Sequence, residues 1–254
     1  MKRLISLLVS LIGITLVCLA FGSRIERVHQ SPKGFALIEL FSSEGCSSCP
    51  PAEGVMHNII QRSEKESLPV YVIEFHVDYW DYLGWKDTFA THEYSQRQQD
   101  YGDHLKLNSI YTPQAIINGE SEMVGSDEDK INAAVEKELQ KPATVSIECK
   151  AYKTGNSKVV AEYTITGNFS GCDLNFAVVE SNLATYVKKG ENAHKTLTHD
   201  NVARVFKSIK ANSSNGKMEL EVPHINLANA KLICYLQNTI NRSVAGATEV
   251  SIVR

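Results

Sequence analysis

Two consecutive prolines, Pro50 and Pro51, fix where a helix can begin in this chain of 254 residues. A proline lacks the backbone N–H that a helix interior uses, so it is tolerated only in the first turn. Apolar residues then recur at helical spacing from position 52 to position 60. The two features together predict an amphipathic helix that begins close to Cys49 and runs to about Ser63, with Cys46 at its N-terminal end.

A buried strand and two closely spaced thiols precede the prolines. Residues 35–41, FALIELF, form an apolar run typical of a buried strand, and Cys46-Ser47-Ser48-Cys49 follows it. At a helix N-terminus, free N–H groups and the helix dipole stabilise a thiolate. We therefore expect Cys46 to be an exposed attacking thiol and Cys49 to resolve the mixed disulfide. No second Cys-x-x-Cys or His-x-His pair follows at zinc-finger spacing, so no metal ligands are predicted.

The N-terminus has the pattern of an export signal. Lys2 and Arg3 precede an apolar run over residues 4–21, and small residues follow, so residues 1–22 are predicted to be a cleaved signal peptide. An uncleaved segment of this length would anchor the chain in a membrane instead. Export would place the cysteines in the periplasm or outside the cell, where disulfides persist. With 26 basic and 29 acidic residues and no basic run, nucleic acid is not an expected partner.

The sequence pattern changes at Pro142. Before it, residues 33–141 alternate strand-like and helix-like segments in the order βαβαββα, with two short strands around an Asn118-Gly119 turn. After it, residues 142–254 contain short alternating strands separated by turn residues, which predicts an all-β domain of sandwich type. An apolar content of 43% is enough for a packed core in each part.

Four separated motifs carry a family resemblance. They are IELFSSEGCSSCPPAE, FHVDYWDYLGWKDTFA, YTPQ and KKGENAHKTLTHDNVAR, in this order along the chain. In these motifs the sequence resembles the DUF1223 family of secreted, thioredoxin-like bacterial proteins. The resemblance implies an α/β thioredoxin-like domain over residues 33–141, a redox pair of Cys46 and Cys49, and a cis peptide bond at Pro113 facing that pair. It also implies that the Thr112 backbone can pair with an extended substrate.

Two polar residues interrupt the buried strands. Glu39 could relay the proton of Cys49, although its spacing to the first cysteine departs by one residue from the thioredoxin-like pattern, and a paired structural glutamate is the alternative. His76 and Asp78 end a second buried strand, residues 68–77, at the sheet edge expected for the cysteines. His76 is interpreted either as a catalytic or metal-binding neighbour of the thiols or as a hydrogen-bonded histidine that supports the following loop. The second interpretation is favoured, because one histidine and one aspartate do not make a ligand set.

The remaining candidates each have two interpretations. The aromatic residues after the second strand either contact substrate or pack their loop onto the core: Tyr79, Trp80 and Trp85. The cysteines of the second half are in phase with apolar neighbours and are interpreted as buried thiols, with one disulfide among them as the alternative: Cys149, Cys172 and Cys234. The polar residues of GENAHKTLTHDN are expected to cap turns and bond sheet edges, with ligand or catalytic roles as the alternative: His194, His199 and Asp200.

Three functions are compatible with these residues. The first is an extracytoplasmic thiol–disulfide oxidoreductase that needs no cofactor and acts on protein or small-thiol substrates. The second is a protein that handles copper or another soft metal through the same thiols and His76; the lack of Met- or His-rich segments in the sequence counts against it. The third is a non-catalytic binding module with a structural cysteine bridge, but a bridge across two residues closes too small a loop to stabilise much. The first is favoured, while the sequence indicates neither the oligomeric state nor the direction of exchange.

Overall fold

The structure, a computed structural model, describes residues 34–222 and 224–253. The predicted signal peptide and the alternative membrane anchor both fall within residues 1–33, outside the described residues. Among the residues that the structure describes, no helix combines the length and the hydropathy that a bilayer span requires.

The first half of the described chain alternates strands and helices. All seven residues of the first strand are buried, as expected for an apolar strand with helices on both faces. Pro50 and Pro51 lie in the first turn of the first helix, so the predicted helix start is confirmed. The elements are β1 (Ala36–Ser42), α1 (Cys49–Glu66), β2 (Val70–His76), a 3₁₀ helix (Asp78–Leu83), α2 (His92–Leu105), β3 (Gln114–Ile117), β4 (Ser121–Val124) and α3 (Glu128–Gln140).

The second half of the described chain consists of strands. Its apolar residues alternate with polar ones along most strands, which is the pattern of a sheet with one buried face. The elements are β5 (Val145–Thr154), β6 (Lys158–Gly167), β7 (Cys172–Glu180), β8 (Leu183–Tyr186), β9 (Thr196–His199), β10 (Val202–Lys210), β11 (Asn215–Glu221), β12 (Ala230–Asn238) and β13 (Val244–Val253).

One mixed sheet of 11 strands runs through both halves, in the order β11-β6-β5-β13-β12-β7-β10-β2-β1-β3-β4. The halves meet where β10 pairs in parallel with β2 through Val202 and Glu74. At this junction the Glu74 N–H donates to the Asn201 carbonyl oxygen at 3.0 Å. Strands β8 and β9 form a separate two-stranded sheet.

The predicted fold class, an α/β thioredoxin-like domain followed by a separate all-β sandwich-like domain, is wrong. The strands of both halves belong to one sheet, and both halves contribute to one apolar core, in which Phe41, Phe75 and Tyr101 pack with Ala177 and Tyr235. The two halves share one sheet because β2 has a second side that needs a pairing strand. Strand β1 pairs with one side of β2, and β10 takes up the backbone groups on the other side, which would otherwise be an unpaired edge.

Alternation along β1 determines which face of the sheet each residue occupies. Ala36, Ile38 and Leu40 pack with apolar residues of α1 and α3. Leu37 and Phe41 point to the other face, where they pack with residues of α2 and of the second half. Helices α1 and α2 therefore cover opposite faces of the sheet.

Candidate active site

The turn between β1 and α1 holds the two predicted redox cysteines. The Cys46 N–H donates to the Ser43 carbonyl oxygen at 3.1 Å, and the Cys49 N–H donates to the Cys46 carbonyl oxygen at 3.2 Å. The sulfur atoms of Cys46 and Cys49 form a disulfide, with 5.5 Å between the two Cα atoms. Because Pro50 and Pro51 have no N–H, a thiolate here would depend on the helix dipole and on the few remaining amides of the first turn.

The loop before β3 lies against this turn. The Thr112–Pro113 peptide bond is cis, so the predicted conformation is confirmed. The Thr112 carbonyl oxygen lies 3.8 Å from Cys46 Sγ and 3.4 Å from Ser48 Oγ. The backbone that the family resemblance assigns to substrate pairing is thus beside the first cysteine, and that pairing stays a prediction.

Two of the three candidate aromatic residues contact the site. Trp80 Nε1 donates to Thr112 Oγ1 at 2.8 Å, and Trp85 Nε1 donates to Glu44 Oε2 at 2.8 Å. The Tyr79 hydroxyl instead donates to a side chain of α2 at 3.1 Å. Trp80 therefore fixes the cis-proline loop, Trp85 fixes the cysteine turn, and a role of Tyr79 and Trp80 in substrate contact stays a prediction.

A segment of the second half covers the cysteine turn. Residues 187–195, which connect β8 to β9, are called the cover segment below. Asn192 is fully buried, and its side-chain amide donates to the backbone oxygens of Glu44 and Cys46 at 3.0 and 2.9 Å. Part of the GENAHKTLTHDN motif therefore holds the cover segment on the cysteine turn.

Both cysteines are fully buried in this arrangement. Glu191 completes the cover by accepting from the Ser47 N–H at 2.9 Å and from the Ser47 hydroxyl at 2.7 Å. The prediction that Cys46 is exposed is therefore wrong, because residues far along the chain return to the turn and no local pattern indicates this. Because Cys46 is fully buried, a reagent can reach its sulfur only if the structure around the turn opens, and the cover segment is one part of that structure.

Asn192→Ala should speed the reduction of the Cys46–Cys49 disulfide by excess dithiothreitol roughly 10- to 30-fold. The substitution removes two hydrogen bonds of about 1 kcal/mol each, so the open state of the cover segment becomes more populated. The rate is measured by quenched alkylation and mass spectrometry. Asn58→Ala, on the exposed face of α1, is the matched control and should leave the rate unchanged. An Asn192→Ala rate equal to that of the wild type would show that the cover segment does not limit access.

The predicted proton-relay role of Glu39 is wrong. Glu39 is buried, but its carboxylate binds α2, on the face of the sheet opposite α1 and Cys49. It accepts hydrogen bonds of 2.6 and 2.8 Å from Arg97 and one of 2.7 Å from the Tyr101 hydroxyl. The alternative interpretation, a paired structural glutamate, is confirmed.

His76 is hydrogen-bonded to the loop that follows β2. Its Nδ1 lies 2.7 Å from Asp87 Oδ2, and both side chains are buried, which confirms the favoured interpretation. Asp78 accepts from the Ser95 hydroxyl at 2.5 Å and so joins the same loop to α2. Among the described residues, the group of side chains that lie close enough to share a metal ion contains His76 but neither cysteine. The structure thus does not bring His76 and the thiols together as one ligand set.

The three candidates of the GENAHKTLTHDN motif lie in different environments. His194 is exposed in the cover segment, and Asp200 pairs with the partly exposed His57 at 2.7 Å. His199 is buried, with its ring centroid 5.0 Å from that of His76. Several polar residues that surround the cysteine turn and His199 are not among the predicted site residues: Glu44, Glu53, Glu74, Asp87, Glu191 and Asn192.

The cysteines of the second half are free thiols, as the favoured interpretation predicts, but Cys149 is only half-buried whereas Cys172 and Cys234 are buried. Cys149 and Cys234 nevertheless lie close together, with 3.4 Å between their sulfur atoms. Cys172 belongs to the same apolar core. If one disulfide forms among these residues, the structure therefore favours the pair Cys149 and Cys234, which the sequence could not select.

A family model described as "Protein of unknown function (DUF1223)" matches residues 37–237, a range that includes both cysteines of the turn and the whole cover segment. No curated protein matches. The crystal structure of protein AGR_C_4864 from Agrobacterium tumefaciens is similar with a TM-score of 0.63 and 28% identity, over 85% of this chain and 93% of that chain. A domain of the outer membrane lipoprotein Omp28 from Porphyromonas gingivalis gives a TM-score of 0.29 and 11% identity, over 44% of this chain and 97% of that domain.

Proposed function

This chain belongs to the DUF1223 family of proteins of unknown function, and we propose that it is an extracytoplasmic thiol–disulfide oxidoreductase that uses Cys46 and Cys49. The observation that carries the proposal is the disulfide at the N-terminus of α1, with the Thr112 carbonyl oxygen beside it. A bridge across two residues closes a loop too small to stabilise the fold much. Redox exchange therefore explains the placement of the pair better than a structural bridge does.

The proposed exchange needs no cofactor, because two electrons pass directly between sulfur atoms. In the oxidising direction a substrate thiolate attacks Cys46 Sγ, the bond between Cys46 and Cys49 breaks, and Cys49 leaves as a thiolate. A second substrate thiolate then attacks the substrate sulfur of the mixed disulfide, which releases an oxidised substrate and leaves both cysteines reduced. In the reducing direction the Cys46 thiolate attacks a substrate disulfide and Cys49 resolves the mixed disulfide.

The proposed substrates are proteins or small thiols that reach the site when the cover segment moves. An extended peptide chain would then lie beside Cys46 and the Thr112 backbone. The export pattern of residues 1–22 supports a periplasmic or extracellular location, with a membrane anchor if residues 4–21 are retained. An oxidising compartment of this kind is where a reversible disulfide has partners.

The reduction potential of the Cys46–Cys49 pair tests the proposal. It is measured by equilibrating the protein with dithiothreitol or glutathione buffers and counting alkylated cysteines by mass spectrometry. A potential above about −300 mV together with exchange of a disulfide-bonded peptide supports the proposed function. A lower potential without exchange would identify the pair as a structural bridge.

Single cysteine variants then assign the roles of the two sulfur atoms. Cys49→Ser should trap a mixed disulfide between Cys46 and the peptide, whereas Cys46→Ser should trap none, because Cys49 lies deeper in the first turn of α1. Cys172→Ser, which alters a thiol in the core of the second half, is the matched control and should exchange at the wild-type rate. Trapping by Cys46→Ser alone would assign the attacking thiolate to Cys49.

A further inference from the structure

Four buried side chains form a second polar site. Glu53 of α1, Glu74 and His76 of β2, and His199 of β9 bring donor atoms within 4.8 Å of one another; they are called the His–Glu cluster below. Each is at most 7% exposed. Oxygen and nitrogen donors packed this closely in the interior need hydrogen bonds or a cation between them.

Most donor atoms of the His–Glu cluster have no hydrogen bond to the described residues. Both carboxylate oxygens of Glu74 and the Nε2 atom of His76 are unpartnered. The ring nitrogens of His199 lie 3.1 Å from Glu53 Oε2 and 3.4 Å from Glu44 Oε1, without hydrogen-bond geometry. Burying such groups unsatisfied is destabilising, so their convergence points to a ligand that they share.

His76 is held as a metal-binding histidine would be. Its Nδ1 donates to Asp87 Oδ2 at 2.7 Å, which leaves Nε2 as the free lone pair facing the cluster. Asp87 is itself fixed by the N–H groups of Glu44 and Phe89, each at 2.9 Å. A carboxylate that orients a histidine in this way is the usual second layer of a protein metal site. The Ser42 hydroxyl similarly donates to Glu53 Oε1 at 2.7 Å and leaves the other oxygen for the cluster.

Charge also favours a cation at this position. Carboxyl groups outnumber imidazoles two to one around this position, so a bound cation would be stabilised by the surrounding oxygen atoms. A divalent ion would cancel the charge of the two carboxylates in the His–Glu cluster. The buried carboxyl groups around the imidazoles are Glu44, Glu53, Glu74 and Asp87.

We propose that the His–Glu cluster binds one divalent first-row transition-metal ion of the Zn²⁺, Mn²⁺ and Fe²⁺ class. Two imidazoles with two carboxylates suit these ions, whereas Cu⁺ prefers thiolate or thioether ligands and Mg²⁺ prefers oxygen alone. Bonds of about 2.1 Å in a tetrahedral site put ligand atoms roughly 3.4 Å apart. Side-chain rotations that bring the donor atoms up to about 1.4 Å closer therefore complete the site.

The position of the His–Glu cluster indicates how an ion could enter and which elements it would join. A surface cleft between α1 and β9, lined by Pro51, Glu53, Leu197 and Asp200, reaches one ligand directly. The ion would join α1 and β2 of the first half to β9 of the second half. This inference does not depend on the redox role of the cysteines, which lie outside the ligand set.

Zn²⁺ binding by the purified, tag-free protein tests the proposal. After dialysis against a chelator, calorimetric titration with ZnCl₂ should give one equivalent per chain, and the bound ion should raise the thermal unfolding midpoint. Co²⁺ in place of Zn²⁺ should give the visible absorption of a nitrogen and oxygen site without a thiolate charge-transfer band. The Cys46→Ser/Cys49→Ser variant should bind the same equivalent, so the outcome is independent of the proposed redox function.

Variants of the cluster and its support locate the site. Glu74→Gln keeps the shape of the side chain but removes its charge, and it should weaken Zn²⁺ binding at least about 100-fold. Asp87→Asn, which changes the carboxylate that orients His76, should weaken binding about 10- to 100-fold. His92→Gln alters a histidine whose side chain is 83% exposed and should leave the affinity unchanged.

Three outcomes would overturn the proposal. The first is a wild-type protein that binds none of Zn²⁺, Mn²⁺ and Co²⁺ with a Kd below roughly 10 μM. The second is a Glu74→Gln variant that binds as tightly as the wild type. The third is a Co²⁺ spectrum with thiolate ligands, which is read from the wild-type protein and so does not depend on the folding of any variant.

Discussion

Arg97→Met should lower the free energy of unfolding by about 3–5 kcal/mol, because it leaves the Glu39 carboxylate unpaired in the core. Arg97 donates to Glu39 through Nε at 2.6 Å and Nη2 at 2.8 Å. Its Nη2 also lies 2.8 Å from the Tyr235 hydroxyl oxygen and 3.1 Å from Gln237 Oε1, both in the second half. Burial alone would lower the pKa of Arg97, but the charge of Glu39 raises it above the usual value. The guanidinium therefore stays charged and joins the two halves.

A double variant separates the missing ion pair from lost packing. Glu39→Leu/Arg97→Met should recover most of the stability, because an apolar pair of similar volume leaves no buried charge. Arg242→Met is the surface control: its pair with Asp100 joins side chains that are 25% and 39% exposed, so the expected loss is below about 1 kcal/mol. Urea unfolding followed by tryptophan fluorescence gives the free energies. A double variant as unstable as Arg97→Met would contradict this account.

The elements that the sequence predicts correctly are set by neighbouring residues. Pro50 and Pro51 place the start of α1, and the apolar run over residues 68–77 contains β2. Asn118 and Gly119 form the predicted turn between β3 and β4, with φ of 47° and 72°. Backbone constraints and burial patterns within a few residues are sufficient for each of these.

The association of the two halves depends on contacts that no local pattern contains. The change of pattern at Pro142 predicts separate domains, but the edge of β2 is completed by β10. No local pattern indicates the partner of Glu39 either, because that partner, Arg97, lies on α2. The place of Glu39 in the alternation of β1, one residue before Leu40, puts it on the face opposite α1. A relay to Cys49 fails for this geometric reason, which a strand assignment alone does not supply.

Local sequence patterns likewise predict only one part of the candidate site. The cysteines and the cis-proline follow from motifs of the first half, whereas Asn192 and His199 come from the second half and no motif places them beside the cysteines. Some of the His–Glu cluster could have been found, because Glu74 and His76 are two residues apart on a strand and share a face. An acid and a histidine on one buried strand face already indicate a polar site inside the core.

Gly119→Ala should also cause a large loss of stability, about 3–4 kcal/mol. Gly119 has a φ of 72°, where a Cβ is strained, and that Cβ would overlap the carbonyl oxygen of Arg242 in the turn between β12 and β13. The same carbonyl oxygen accepts from Gln237 Nε2 at 2.8 Å. The Val244 N–H donates to the Asn118 carbonyl oxygen at 2.9 Å. The two turns therefore cannot move apart without losing the hydrogen bond between Val244 and Asn118.

Gly171→Ala separates backbone strain from overlap. Gly171 has the same φ of 72°, but no described neighbour lies within 4 Å of the position of its Cβ. Gly171→Ala should lower the free energy of unfolding by about 1 kcal/mol. The loss for Gly119→Ala should be about 2–3 kcal/mol larger, and this difference measures how tightly the two turns pack together. Urea unfolding of both variants gives this difference. Equal losses would mean that the turns yield to an added methyl group, and the union of the two halves would then depend on the β2–β10 pairing and on Arg97.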